Sequence, residues 1–293
     1  MAGELAPIVQ IVLTAWLFAL GCAVGSFLNV VIYRLPRGLT ILEPRRSFCP
    51  RCGHAIRWHD NVPLLSFLFL GRRCRDCAGP ISWRYPAVEG LTGLLFALIF
   101  YRQAVASGTD VGQTVIMILA ASLLLVAAAV DVEWFIIPDE ISLFGLLGGL
   151  LAGLLIPSLH VGAASYHTWE KLTGLAHLDG LIASAVGAVS GGLLLWMVRV
   201  VGRLLFRREA MGLGDAKLMA MIGAFFGWKV VLVTFFLSPF LGVLYGVPRL
   251  VLKGEHLMPY GPFLSLGAVL ALLFRTELCS FLEPLEYLVG LLA

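Results

Sequence analysis

Long apolar runs constrain this chain more than any other feature. They occupy roughly 7–33, 86–103, 112–131, 141–157, 178–201, 215–228, 229–248 and 262–275. A helix needs about 20 predominantly apolar residues to cross the hydrocarbon core, and fewer when it is packed or tilted. Within a bilayer every backbone N–H and C=O must be satisfied by the protein itself, which leaves helices or closed barrels. The alternation of barrel strands is absent, so the runs read as helices. Composition agrees: 59% of the 293 residues are hydrophobic and 13% charged, against about 25% charged in soluble domains. A soluble enzyme, a disordered chain and a secreted disulfide scaffold are excluded. The expected fold is all-α, a polytopic integral membrane protein of about eight transmembrane helices. The first run is too long for a signal h-region and has no basic n-region before it, so it reads as a retained helix. The stretch 278–293 is apolar but carries Glu283, Pro284 and Glu286, and reads as interfacial.

Charge orients the spans. Ten arginines lie between Arg34 and Arg84, and a basic loop beside apolar spans marks the cytoplasmic face. With that loop inside, Arg199, Arg203, Arg207, Arg208, Lys217, Arg249 and Lys253 also fall inside, giving seventeen basic residues. Arg102, Lys171, Lys229 and Arg275 fall outside, giving four. This asymmetry supports eight spans with both termini outside. Three parts are expected: a first transmembrane helix (1–33), a cytoplasmic loop (34–85) and a transmembrane core (86–293).

The loop holds Cys49-Pro-Arg-Cys52 and Cys74-Arg-Asp-Cys77, two C-x2-C pairs 21 residues apart. Two residues between thiols let both sulfurs converge on one ion, and two such turns complete a tetrahedral all-thiolate site suited to Zn²⁺. Gly53 and Gly79 follow the two pairs, as tight turns favour. A closed four-thiolate site is structural, because it leaves no open position. The competing reading is a pair of redox-active dithiols. His54 and His59 read as surface residues, and Cys22 and Cys279 as packing residues.

Two carboxylates stand at the edges of apolar runs. Asp131 opens Asp131-Val-Glu-Trp-Phe-Ile-Ile-Pro138-Asp139-Glu140, and Asp215 closes Met211-Gly-Leu-Gly-Asp215. Both fall at cytoplasmic ends of expected helices. A carboxylate there needs a partner or a use. Brought together, two carboxylates share one proton: the ionised one activates water, and the protonated one polarises a peptide carbonyl. That is aspartyl protease chemistry. Gly212 and Gly214 permit close backbone approach. Taken singly, each aspartate reads as a helix cap or an ion pair with Lys217 or Arg208. Asp139, after Pro138, reads as a cap for the fourth span.

The motifs taken in order resemble those of the type IV prepilin peptidases. They are Gly25-Ser-Phe-Leu-Asn29-Val-Val-Ile-Tyr33-Arg34-Leu-Pro36, the two cysteine pairs followed by Gly79-Pro-Ile-Ser-Trp-Arg84-Tyr85-Pro-Ala-Val-Glu89, Asp131 with Ile137-Pro138-Asp139, Met211-Gly-Leu-Gly-Asp215-Ala-Lys217-Leu, and Pro259-Tyr260-Gly261-Pro262-Phe-Leu264. The resemblance implies a membrane aspartyl endopeptidase with Asp131 and Asp215 as its catalytic pair. Its substrates would be type IV prepilins or type II secretion pseudopilins, cut after a glycine on the cytoplasmic side. It implies N-methylation of the new first residue with S-adenosylmethionine, a multi-pass place in the bacterial inner membrane among lipid, and no nucleic-acid partner. Two departures are visible: Val130 stands where isoleucine is expected, and the outer loop with His160, His167 and His177 is long. The loop between the first two spans is net positive by seven, ten minus three. A basic leader is therefore better attracted by Glu133, Asp139 and Glu140 near Asp131.

The sequence has no glycine-rich fingerprint for S-adenosylmethionine, and its site residues are not assigned by motif. Asn29 and Glu89 read first as interhelical hydrogen-bonding residues. The stretches Asn29–Pro36 and Ser82–Glu89 tether the loop and are placed to frame a cofactor pocket, separate from the aspartates. Two rival functions remain. A transporter would place its carboxylates at mid-bilayer within inverted repeats; both aspartates instead lie at run ends, and no repeat is evident. A membrane thiol oxidoreductase would need reactive dithiols rather than two paired knuckles.

Overall fold

In the computed structural model residues 7–43, 46–160, 173–207, 211–254 and 258–279 are described. Among them regular structure is helical, apart from two isolated β-bridges. The chain forms two compact units, Met1–Thr114 and Val115–Ala293.

In the first unit α1 (Pro7–Arg34) packs along α3 (Arg84–Ile99). Burying apolar surface gives little drive between helices in lipid, so close backbone approach and hydrogen bonds must supply it. Gly21 and Gly25 on α1 meet α3 at Gly93 and Glu89: a Cβ on either glycine would lie 2.7 Å from an α3 Cα atom. Asn29 Nδ2 donates to Tyr85 O across the pair at 3.1 Å, the interhelical bond its sequence context suggests. The basic loop, with the short helix α2 (Leu65–Phe69), joins α1 to α3. Arg34, only 3% exposed, donates to the carbonyls of Thr40 and Ile41 and so fastens the start of the loop. Beyond α3 the chain continues as a π-helical turn, Phe100–Ala106.

The second unit takes in most of α4 (Val111–Trp134), and then α5 (Asp139–Leu155), α6 (Ala176–Phe206), α7 (Leu213–Phe226), α8 (Trp228–Lys253), α9 (Gly261–Leu273) and α10 (Arg275–Cys279). Helices α5, α6 and α7 pack on one another, and α8 on α9. Gly187 and Gly191 of α6 lie directly against the backbone of α7 at Gly223 and Met219. Ser184 Oγ reaches the carbonyls of Gly149 at 3.1 Å and Ala224 at 2.7 Å, tying α5 and α7 to α6. Gly227, at φ 82°, breaks the long apolar stretch into α7 and α8, a conformation that favours glycine.

Among the described residues five helical stretches are long and apolar enough to cross a membrane: Pro7–Arg37, Arg84–Ala106, Val111–Trp134, Ala176–Leu205 and Trp228–Leu252. The remaining three apolar runs form shorter helices, α5 of 17 residues, α7 of 14 and α9 of 13. The protein is thus an all-α, polytopic membrane protein. Large apolar side chains such as Phe144, Leu204, Phe240 and Leu244 stand exposed, as lipid-facing residues do.

Two sequence expectations change. His160 is not a polar loop residue but fully buried, its Nε2 3.1 Å from Ala224 O, where the imidazole satisfies a backbone carbonyl of α7. Asp139 is not the cap of α5: Pro138 holds the N-cap position, and Asp139 instead accepts a hydrogen bond from Lys217 Nζ at 2.6 Å. The expectations for His167, Lys171, Arg208, the side chains of Lys253 and Cys279, and the tail with Glu283, Pro284 and Glu286 lie outside the described residues.

Candidate active site and cysteine centre

Each carboxylate is set by the start of a helix. Asp131 lies in the last turn of α4, 5% exposed. The helix ends where Phe135 takes φ 55°, a left-handed conformation that costs a side-chain-bearing residue about 1–2 kcal/mol. The N–H of Gly261, first residue of α9, donates to Asp131 Oδ2 at 2.8 Å. Pro262 follows, suited to the first turn because it lacks a donor that would have no partner there. A Cβ on Gly261 would lie 2.8 Å from Asp131 Oδ2, so only glycine allows this approach.

Asp215 is the third residue of α7 and 9% exposed. Its Oδ2 accepts the N–H of Gly212 at 3.2 Å, the reciprocal half of a capping box. Ile137, from the turn after α4, fits between the two glycine backbones: a Cβ on Gly214 would stand 3.1 Å from its Cβ, and one on Gly261 3.2 Å from its Cδ1. The two carboxylates lie close enough for their charges to act on each other. Tyr260 stands within reach of the Asp215 charge and hydrogen-bonds to Ser238. Lys217, one of the partners the sequence offers Asp215, pairs with Asp139 instead. The structure therefore brings together two carboxylates from helices far apart in sequence, with Gly261, Ile137 and Tyr260 around them. In the sequence Pro259–Leu264 stands out only through the family resemblance; the contact that ties it to Asp131 spans 130 residues.

The four cysteines also converge. Their sulfurs lie within 4.8 Å of one another, and Cys49 Sγ is 3.9 Å from Cys77 Sγ. A tetrahedral ion with sulfurs at about 2.3 Å separates neighbouring sulfurs by about 3.8 Å, so the donor set fits Zn²⁺. The knuckles repeat bond for bond. Cys49 N–H donates to His54 O at 2.9 Å and Gly53 N–H to Cys49 O at 2.9 Å; Cys74 N–H donates to Gly79 O at 2.8 Å and Ala78 N–H to Cys74 O at 2.9 Å. The left-handed residue is Gly53 in one, at φ 74°, and Ala78 in the other, at φ 53°. Gly79 is needed for another reason: a Cβ there would lie 2.8 Å from Arg51 Cδ. His54 and His59 are exposed, as expected. Burial pushes the Cys49 thiol up, but backbone N–H groups of Cys52 and Arg51 outweigh it and bring it down to about 7. Arg75 grips Asp60 through two hydrogen bonds of 2.6 and 2.7 Å, holding that carboxyl below the usual range.

Comparison with known proteins decides the family. Residues 118–247, which contain both aspartates, match the type IV leader peptidase family, and residues 19–103, which contain the four cysteines, match the bacterial peptidase A24 N-terminal domain. A prepilin leader peptidase/N-methyltransferase of Aeromonas hydrophila is 34% identical over 283 residues, 88% of this chain and 89% of that protein. The chain belongs to the type IV leader peptidase family. Proteins of the same description from Myxococcus xanthus and Klebsiella pneumoniae are 39% and 41% identical. The aligned stretch covers 82% of this chain and 64% of the Myxococcus protein, and 76% of this chain and 90% of the Klebsiella protein. No solved structure matches the chain. Both signature regions of this leader peptidase family member thus carry a converged cluster of chemistry-bearing side chains.

Proposed function

We propose that the protein is a bifunctional membrane enzyme. It removes the basic leader of type IV prepilins or type II secretion pseudopilins after a glycine and then N-methylates the new N-terminal residue. The observation that carries the reading is the buried Asp131–Asp215 pair, each carboxylate held by a backbone N–H at a helix start. One ionised carboxylate takes a proton from water as its oxygen attacks the scissile carbonyl. The other, protonated, gives its proton to the carbonyl oxygen, and the pair then delivers a proton to the departing amine. Both aspartates lie at helix ends rather than mid-helix, which favours a peptidase over a transporter. Glu140, exposed in the first turn of α5, remains available to a basic leader, whereas Asp139 is engaged with Lys217.

Cys49, Cys52, Cys74 and Cys77 hold a structural Zn²⁺ in this reading, supported by the sulfur spacing. S-adenosylmethionine supplies a methyl group on a sulfonium to the neutral amine that cleavage exposes. The basic loop and the charge asymmetry support eight crossings of the bacterial inner membrane, with segment 34–85 as a cytoplasmic zinc-binding insert after the first helix and residues 86–293 as the core carrying the dyad.

The test uses purified protein, a prepilin peptide and labelled S-adenosylmethionine, with leader loss and label transfer read separately. Asp215→Asn is expected to leave the precursor uncut but to methylate a peptide already cut to a free phenylalanine amine. Normal cleavage by that variant would remove the dyad. A folded, zinc-loaded variant that failed to methylate the cut peptide would merge the two sites into one.

A further inference from the structure

A cavity of about 560 Å³ opens within the first unit, walled by α1, α3 and the cysteine loop. Small-molecule sites span about 300–1,000 Å³. All its lining residues lie between Ser26 and Glu89, so both stretches that tether the loop contribute to it. We propose that this cavity is the S-adenosylmethionine site, with Asn29 and Glu89 as its buried polar contacts. The proposal rests on the methyltransferase reading above and adds its location.

Asn29 lines the cavity and is 3% exposed. Its Nδ2 is occupied by the carbonyls of Gly25 and Tyr85. Its Oδ1 is buried and accepts no hydrogen bond. A buried acceptor left unpaired costs about 1–3 kcal/mol, so the cavity calls for a ligand that brings an N–H donor. Glu89 is 8% exposed. Its Oε2 accepts the N–H of Leu64, a residue forced to φ 61°, and Ser26 bonds to the same carboxyl group. A strained residue of this kind persists only where its surroundings over-determine it, as at functional sites. The lining also includes paired aromatic and basic residues: Arg37 stacks on Tyr33 at 4.0 Å and Arg84 on Tyr85 at 4.9 Å.

These features select among ligands. A buried carboxylate disfavours a phosphate-rich nucleotide, and a loop net positive by seven disfavours a basic leader. S-adenosylmethionine carries a permanent sulfonium charge and an α-ammonium for Glu89, a carboxylate for the arginine side, a flat base for the tyrosines, and N–H donors for Asn29 Oδ1.

Tritiated S-adenosylmethionine is dialysed to equilibrium against the full-length, zinc-loaded protein in detergent. The wild type and Asp215→Asn are expected to bind with the same Kd. Glu89→Gln, Asn29→Leu and the cavity-filling Val30→Trp are expected to raise Kd ten-fold or more while keeping one zinc per chain. S-adenosylhomocysteine, which lacks the sulfonium charge, should bind more weakly than S-adenosylmethionine to the wild type, and Glu89→Gln should narrow that ratio. Hydrogen–deuterium exchange on the wild type needs no variant: the ligand should slow exchange at 26–34, 64–67 and 82–89, and not at 211–218. Protection confined to 211–218, or unchanged affinity in all three cavity variants, overturns the location. A wild type that binds no S-adenosylmethionine overturns instead the methyltransferase reading on which it rests.

Discussion

Asp131 and Asp215 are ordinary carboxylates until two glycine N–H groups and two helix starts fix where their oxygens stand. Gly261 matters for space as well as for its donor, since a Cβ there would meet Asp131 Oδ2. General acid–base catalysis by a placed group contributes about 10²–10⁴-fold. Asp131→Asn and Asp215→Asn are each expected to lower leader cleavage by about 10³-fold or more, with unchanged helical circular dichroism and zinc content. If either variant cut the precursor at close to the normal rate, that residue would not be part of the dyad. Gly261→Ala keeps both carboxylates but pushes that of Asp131 aside. A misplacement near 1 Å costs about 10²-fold, so the expected loss is in kcat, with KM for the prepilin peptide little altered. An intact kcat would show that Asp131 tolerates the shift.

At the scale of elements, the two cysteine knuckles are the same turn built from different residues. Gly53 adopts its left-handed φ without steric cost, whereas Ala78 carries a Cβ in that region. Ala78→Gly is expected to stabilise the loop by about 1 kcal/mol, and Gly53→Ala to destabilise it by a similar amount. Rates of zinc release to a chelator, read side by side for both variants, check the opposite signs. The Asp60–Arg75 clamp gives the loop a pH dependence. Its carboxyl titrates lower folded than unfolded, so the stabilisation is present above the ordinary carboxylate range near 3.9 and is lost as pH falls through the lowered value. Asp60→Asn should loosen the loop to protease at neutral pH and lose that difference in strong acid. The α6–α7 contact obeys a different rule, close approach through Gly187, Gly191 and Gly223. Gly223→Val is expected to lower folded yield sharply, because the valine meets backbone rather than a side chain that can move.

The whole molecule divides its chemistry between two units. The cysteine centre and the cavity lie within Met1–Thr114, and the aspartates within Val115–Ala293. Metal removal should therefore act unevenly. Thiolates bind zinc and thiols do not, so retention falls as pH drops, and a chelator at neutral pH completes the loss. The stripped protein is expected to keep its helical content and some leader cleavage, while its loop becomes protease-sensitive and label transfer from S-adenosylmethionine falls much further. An equal fall in both activities would mean that the loop supports the dyad as much as the cavity.

The sequence by itself determined the membrane class, the positions of the helices and the cluster of four cysteines able to hold a metal, because these depend on local composition and spacing. Each of the eight apolar runs coincides to within a few residues with a helix, five of them long and three shorter, since a bilayer leaves an apolar run little choice but a helix. Tertiary structure alone decided which groups meet. Gly261 reaches Asp131 across 130 residues, Lys217 turns to Asp139 rather than Asp215, and His160 buries itself against α7. No local pattern encodes these contacts: each depends on how helices distant in sequence cross, and that is set by where glycine and serine allow two backbones to touch.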